Sequence, residues 1–498
     1  MTTLRHYPLG EPCPDSPHAV VSSLPTMADV RGYEEREPRV FDALKSGYPR
    51  FVVHAFIEEL IEFYFRREAL QSRGAVLIPG RRATQGLVDW SGQGVTCAEV
   101  EEALFLVHFD ASDRELNRRV RKFVQHTGCG ISSRQAEDLL RVHGLCDAVH
   151  PEKSFAGNAQ SAVEVEIARL AGCETKDVLV CSCGMNAFYA GFCAVQEAQS
   201  ARGRTKWLQL GWLYLDSGCV LQEFLDEGAS LDYCYDATDT DVLIDKILAS
   251  GESLACVVIE CPTNPLVQVA DLSRIAEAVR SCGGILMIDP TIASIYNVDV
   301  LRHADILTTS LTKYASFEGD VMIGALALNP QSSHYADLVL RTSSFYQPPY
   351  GRDMARLAFE LQGAPEVVVQ MDANARRLAD YLKTHPAVKK VHYAGFSDHF
   401  AEVAKSAGSG GAIVSIELYA EIDLFYDALD VMKGPSFGTE FTLVCPFMYL
   451  AHYDLVTSAE GRGFLASIGI DPDLIRISVG IEPIENIIRT FEKALACC

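Results

Sequence analysis

Between about residues 160 and 330 the chain alternates short, nearly continuous apolar runs with segments whose apolar residues recur at helical spacing. The runs at 178–181, 206–210, 257–260, 283–289 and 306–310 have the pattern of strands buried on both faces, as in a parallel sheet. Between them, 187–199 reads as a helix, and Leu272, Ile275, Ala276 and Val279 share one face of a second helix over 271–280. Such alternation predicts a mostly parallel sheet with helical cover, an α/β architecture. Beyond Pro348-Pro349 a single long helix is expected over 353–382. A smaller unit follows, with strands near 388–392, 412–418 and 474–479 and a flexible connection at 406–411. Ahead of the sheet, 51–65 mixes apolar and acidic residues at helical spacing, as in an amphipathic helix packed on the domain or on a partner subunit. Three regions result: an N-terminal extension with subunit contacts over 1–150, a central cofactor-binding domain over 151–350 and a C-terminal domain over 351–498.

The predicted strands end in chemistry. The run 283–289 stops abruptly at Asp289, and the run 306–310 leads into Ser310-Leu311-Thr312-Lys313-Tyr314. Ligand sites of open α/β sheets lie at the carboxyl ends of strands. A lysine in a low-dielectric pocket loses its proton more easily and becomes a nucleophile toward an aldehyde, and afterwards a proton shuttle. Pyridoxal 5'-phosphate needs this pair, a carboxylate that keeps its ring nitrogen protonated and a lysine that holds its aldehyde. A third strand exits through Glu260-Cys-Pro-Thr-Asn264-Pro265, where Asn264 is suited to hydrogen-bond a phenolate oxygen; the same residues also make an ordinary Asn-Pro turn. Gly184 and Met185 sit where 178–181 turns into a helix, so their backbone amides favour a phosphate. Tyr214 closes the run 206–210, where its ring could stack on a flat cofactor or pack in the core. Arg476 lies inside an apolar strand, where a guanidinium needs either an internal carboxylate or a bound anion.

In this order the pieces resemble the cysteine/methionine-metabolism family of pyridoxal-phosphate enzymes over about residues 150 to 498. Ser182-Cys-Gly-Met185 is similar to the family's Ser-Gly-Met phosphate cup, Glu260-Cys-Pro-Thr-Asn-Pro265 to its Glu-x-Pro-x-Asn-Pro run, and Asp289-Pro-Thr291 to its Asp-Asn-Thr. Ser310-Leu-Thr-Lys-Tyr314 resembles its Ser-x-Thr-Lys-Tyr, and Gly434-Pro-Ser436-Phe-Gly438 its Ser-Leu-Gly turn. Arg476 resembles its substrate-carboxylate clamp. Residues His18 to Thr26, Gly32-Tyr-Glu-Glu35 and Gly47-Tyr-Pro-Arg-Phe51 resemble the amino-terminal region of the fungal-type cystathionine γ-synthase branch. The resemblance implies a fold-type-I, aspartate-aminotransferase-like large domain with a smaller C-terminal α+β domain, and a homotetramer built as a dimer of dimers. It implies Lys313 as catalytic base, with Tyr214 stacked on the ring and assisting at the leaving group. It also gives Ser310 and Thr312 to the phosphate, and Ser436 with Arg476 to the substrate.

Three departures stand against that pattern. Family members usually carry a Tyr-x-Arg pair, donated by the neighbouring subunit to the phosphate shortly before an Asn-Pro. The corresponding stretch here is Lys153-Ser154-Phe155-Ala-Gly-Asn158-Ala159, which lacks both and leaves Lys153 as a substitute cation. Where the family has Gly-His-Ser-Asp this chain has Phe317-Glu318-Gly319-Asp320, and Pro435 precedes the Ser436 turn.

Composition narrows the class further. The 498 residues carry a formal charge of −23, which argues against nucleic acid and anionic membranes as partners. No uncharged apolar stretch reaches spanning length, and the opening residues lack a secretory apolar core. Sixteen irregularly spaced cysteines, several in apolar strands, read as thiols of a reducing compartment, so a cytoplasmic enzyme is expected. Cys181-x-Cys183 lacks the partners of a zinc knuckle, and no metal is expected. The expected activity is γ-replacement on an O-acyl-L-homoserine, with L-cysteine giving cystathionine for methionine biosynthesis. Joining the homoserine-derived vinylglycine to a carbon or other nucleophile, a γ-lyase, and a cofactor-binding pseudoenzyme are the other readings.

Overall fold

A computed structural model describes residues 4–48, 52–70 and 74–498. Seven strands form the central sheet in the order Val178–Cys181, Gly324–Leu328, Ile306–Ser310, Ile285–Asp289, Leu254–Glu260, Lys206–Leu210, Ser230–Cys234. Only Gly324–Leu328 runs against the others, pairing antiparallel with both of its neighbours. The remaining strands therefore all present their carboxyl ends at one edge. Every residue of Leu254–Glu260 is buried, as a strand covered by helices on both faces requires. The covering helices start and stop where local chemistry dictates. Asp271 accepts from the Arg274 amide at 3.0 Å to begin Leu272–Cys282, and Gly283, at φ 70°, ends it.

The expected single helix over 353–382 is two helices, Gly351–Glu360 and Ala364–Lys383. Gly363 supplies the second N-cap and Pro365 sits in its first turn, where a missing N–H costs nothing. A five-stranded sheet follows, Val388–Tyr393, Ile413–Leu418, Ile475–Ser478, Leu443–Pro446 and Met432–Lys433. Of the segment 406–411 expected as flexible, 406–408 are exposed but 409–411 are buried, and a Cβ on Gly410 would lie 2.3 Å from the Tyr393 ring.

Two structures precede the main sheet. Residues 4–48 run as a strap across the loops of both later sheets, with Val20 N donating to Gly319 O and Leu24 N to Lys433 O, each at 2.9 Å. Its helix Met27–Glu34 is held by a Thr26–Asp29 capping box and by Arg31, which reaches both oxygens of Asp423 at 2.6 and 2.7 Å. Next, Gly74–Pro79, Leu104–Phe109 and Val95–Glu101 form an antiparallel sheet flanked by helices Ala55–Arg67, Arg81–Ser91, Arg114–Thr127 and Ser133–Val142, around cores of its own. The amphipathic helix expected at 51–65 is Ala55–Arg67, burying Leu60 and Tyr64; Phe51 lies outside the described residues.

Buried ions tie this unit to the large domain. Arg134, 1% exposed, bonds Glu152, Asp353 and the Asp320 carbonyl. Arg352 bridges Asp138 and Glu152, and Arg356 reaches Asp320 and Glu318. Glu318, which departs from the family pattern, and Asp320, which keeps its Asp, are thus both members of this network.

Candidate active site

Asp289 and Glu260 end adjacent parallel strands in register, and Ser310 ends the next. Lys313 stands in the turn that follows. That turn is tight: Tyr314 has φ 62°, a conformation that costs a non-glycine residue about 1–3 kcal/mol and persists only where neighbours enforce it. Its amide donates to Gly438 O at 2.8 Å and its hydroxyl to Ile292 O at 2.6 Å. Gly438, at φ 74°, allows this approach, since a Cβ there would lie 2.7 Å from Tyr314 N and 3.1 Å from Lys313 Cα. The turn 434–438 from the C-terminal unit is thereby pressed against the lysine.

The Lys313 amine donates to Ser436 Oγ at 2.9 Å and to the Tyr48 hydroxyl, and lies 4.2 Å from the Tyr48 ring centroid and 5.0 Å from that of Phe437. Burial, and then the charge of Arg476, holds its pKa well below the usual lysine range. The amine is therefore set up to be neutral. Arg476 is 5% exposed and gives its two bonds to neutral acceptors, Asn264 Oδ1 and Ser436 O, each at 2.9 Å. Phe437 and Phe447 flank it, 4.8 and 4.9 Å from their centroids. Of the two alternatives for a guanidinium in an apolar strand, neither bond goes to a carboxylate among the described residues.

Asn264 spends its carbonyl on Arg476, which leaves its NH2 end as the donor that a phenolate oxygen requires. Asp289 Oδ1 accepts from Thr291 N at 2.8 Å, yet burial still lifts its pKa to about 6. Glu260 is lifted further, by burial first and then by Asp289. One Glu260 oxygen accepts from Tyr214 N at 2.6 Å; the other is buried with no hydrogen-bond partner among the described residues.

Gly184 opens helix Gly184–Ser200, and a Cβ on it would come within 2.7 Å of the Ser310 side chain. Met185 is half-buried, its sulfur 4.0 Å from the Ser217 hydroxyl. Ser310 N donates to Thr291 Oγ1 at 2.9 Å, while the Thr312 hydroxyl is engaged with the Ile323 backbone, 3.4 Å from its carbonyl and 3.3 Å from its amide. Tyr214 caps helix Leu215–Glu223 and turns its hydroxyl to Asp216 Oδ2 at 2.8 Å. Lys153 is exposed, over the Phe359 ring at 5.9 Å.

Two contributors went unread. The loop after helix Arg114–Thr127 packs on the phosphate turn, with Gly128 O accepting from Ser182 Oγ at 3.1 Å. Tyr48 is the other, its phenol pushed up by burial and opposed by the Ser436 and Thr312 hydroxyls. A signal for it existed. Tyr48-Pro49-Arg50 has the Tyr-x-Arg spacing that 153–155 lacks, but it stands about a hundred residues earlier, ahead of the inserted three-stranded unit. Pro49 and Arg50, like Phe51, lie outside the described residues.

These groups fit pyridoxal phosphate. A buried amine held neutral meets an aldehyde, a buried carboxyl pair with an unpartnered oxygen meets a protonated ring nitrogen, and a side-chain-free helix start meets a phosphate.

The family model described as Cys/Met metabolism PLP-dependent enzyme matches residues 155–496. The L-2-amino-4-chloropent-4-enoate dechlorinase/desaturase of Streptantibioticus cattleyicolor is 33% identical over 97% of each chain. The cystathionine gamma-synthase of Neurospora crassa is 28% identical over 98% of each. Among solved structures, cystathionine gamma synthase from Xanthomonas oryzae pv. oryzae, in complex with aminoacrylate and cysteine, superposes with TM-score 0.58 over 70% of this chain and 92% of that one, and at 24% identity shows likeness of fold.

Proposed function

Because the chain belongs to the Cys/Met-metabolism family of pyridoxal-phosphate-dependent enzymes, we propose that it acts at the γ-carbon of an amino acid carrying a leaving group there, in the pocket around Lys313. Our first assignment is γ-replacement on an O-acyl-L-homoserine, with L-cysteine giving cystathionine. The observation that carries it is the pairing of Lys313 with Arg476: a buried amine kept neutral beside a buried guanidinium that, among the described residues, bonds neutral acceptors, Asn264 and Ser436.

Arg476 binds the substrate α-carboxylate, a charge-assisted pair in a water-poor setting. Lys313 would bind the cofactor aldehyde, Asp289 its ring nitrogen, Asn264 its phenolate oxygen, and Gly184, Met185, Ser310 and Thr312 its phosphate. When bound, pyridoxal phosphate supplies the electron sink that lets the Cα–H bond break. Lys313 would take that proton, give it up again at the carbon that had been the aldehyde and, neutral once more, take one from Cβ a few ångströms on, so that the γ-substituent departs with its bonding pair. The Tyr48 and Ser436 hydroxyls orient the amine between these tasks. Tyr214 stands at the leaving group. We assign Tyr48 and Arg50 as the Tyr-x-Arg pair of this chain.

Elimination without a second substrate is the alternative, favoured by the dechlorinase/desaturase likeness over nearly the whole chain. It is also favoured by the crowding of Lys313 under Tyr48 and Phe437. Incubation with O-acetyl-L-homoserine, with and without cysteine, separates the two. Cystathionine formed only with cysteine supports the first assignment; 2-oxobutyrate formed regardless supports elimination, as does chloride release from 2-amino-4-chloropent-4-enoate. Turnover confined to a β-keto acid as nucleophile overturns the cysteine assignment.

A further inference from the structure

Behind Tyr214, helix Leu215–Glu223 presents Asp216, Cys219 and Glu223 on one face, at the i, i+3, i+7 spacing of a helical stripe. That face meets the end of helix Arg114–Thr127. There Gln125 donates to Asp216 at 2.7 Å, Lys122 to Glu223 Oε1 at 2.6 Å, and His126 is 2% exposed. One donor atom from each of His126, Cys219 and Glu223 lies within 4.8 Å of the other two. His126 Nδ1 is 3.2 Å from Asp216 Oδ1, but neither ring nitrogen makes a hydrogen bond among the described residues. An imidazole so deeply buried with both nitrogens unsatisfied is costly, and it points to a ligand.

We propose that His126, Cys219 and Glu223 form a zinc site, with Asp216 as the carboxylate that orients the histidine. Imidazole nitrogen, thiolate sulfur and carboxylate oxygen together suit zinc, a borderline-soft ion that takes four ligands, with water as the fourth. Donors bonded at about 2.0–2.3 Å stand about 3.3–3.8 Å apart around such an ion, so the cluster closes on it with side-chain shifts of about an ångström. Nδ1 facing Asp216 leaves Nε2 for the metal, the carboxylate–histidine–zinc arrangement. Glu223 keeps Lys122 on Oε1 and gives Oε2. Binding displaces the Cys219 thiol proton to solvent, which makes affinity rise with pH. The half-exposed Glu223 side is the way in. Since Asp216 also accepts from the Tyr214 hydroxyl, the ion would sit two residues from the active-site face. No spacing in the chain announces the site, because its ligands come from helices about ninety residues apart.

The test uses the holoenzyme, stripped with a chelator and titrated with cobalt(II), then zinc. The wild type is expected to take up one ion per chain, to develop cobalt ligand-field bands to the red of the cofactor band, and to lose them to zinc. Zinc should also raise its thermal midpoint. Cys219→Ser should abolish the thiolate-type cobalt spectrum and weaken zinc binding about 10- to 100-fold or more, and His126→Gln should do the same in a chain that keeps all its cysteines. Wild-type protein that binds no zinc, or a Cys219→Ser and His126→Gln pair with unchanged spectra and zinc content, overturns the proposal. None of these readouts depends on which substrate the enzyme turns over.

Discussion

Residues 155–496 bring Asp289, Lys313 and Arg476 to the pocket on or just beyond strands, whereas residues 4–48 bring Tyr48 on a strap whose nearest helix is the four-residue Pro38–Phe41. The strand-borne groups inherit their positions from ladders such as Asp289 opposite Glu260, where every neighbouring pair reinforces the next. Tyr48 inherits its position from scattered bonds such as Val20 N to Gly319 O, which can open locally without unfolding the sheet. The same pocket thus joins a rigid half and an adjustable half.

The largest effect that bears on this division is on the rigid half. Lys313→Ala should lower kcat by about four orders of magnitude or more, since proton transfer and aldehyde capture are lost together. It should also abolish the visible band of lysine-bound cofactor. Retention of that band would remove Lys313 from the centre of the site.

Asp289 sharpens the cost of rigidity. In the folded chain its carboxyl ionises near pH 6, against 3.8 ordinarily. As pH rises from about 4 to about 6 the unfolded chain releases this proton first, so the folded cofactor-free protein binds more protons and loses stability over that window. Asp289→Asn should therefore stabilise the cofactor-free protein by about 1–3 kcal/mol above pH 6 and by much less near pH 4. Denaturant melts of both proteins at pH 4 and pH 7.5 check the sign. An equal difference at the two pH values would mean that burial of the carboxylate is not the cause.

Tyr48→Phe probes the adjustable half. Loss of one hydroxyl that orients the lysine amine should lower kcat about tenfold while leaving the cofactor band in place, the scale of one hydrogen bond to a reacting group. A fall as deep as that of Lys313→Ala would make the strap as much a part of the chemistry as the strand ends. Hydrogen exchange supplies the companion measurement, with the amides of Val20 and Leu24 exchanging before those of Ile285–Asp289.

How much of this was readable beforehand follows the same line. The parallel sheet and the residues at its edge were legible because burial on both faces leaves unbroken apolar runs, and the polar residue that ends each run stands out. The break at 361–363 was less so, because Pro365 in a first helical turn does not interrupt the apolar spacing around it. Glu260 appeared only as a letter of a motif; its unpartnered oxygen beside Asp289 is a fact of strand register. Tyr48 was obscured by distance along the chain. The inserted unit 52–150 separates Tyr48-x-Arg50 from Asn158, so a search just before Asn158 meets Lys153 instead. Glu318 read as an altered site residue, but its partner Arg356, which also holds Asp320, comes from another helix, and no local pattern joins them.

The smallest effect tests that substitution directly. Lys153 could stand in for the clamp cation only if its amine met the phosphate, and in the structure it lies exposed over the Phe359 ring, an interaction worth about 0.5–1 kcal/mol at most. Lys153→Ala should therefore leave the dissociation constant for pyridoxal phosphate within about twofold of wild type, whereas the proposed assignment of Arg50 as the clamp cation requires that Arg50→Ala raise it about tenfold or more, the scale of one charge-assisted phosphate bond. Equilibrium dialysis of the two variants measures both. The reverse ranking would return the cation to residue 153 and detach the strap from the phosphate. Equal and small effects would leave the phosphate to the helix start at Gly184 alone, whose amides and dipole suit an anion without any cationic side chain.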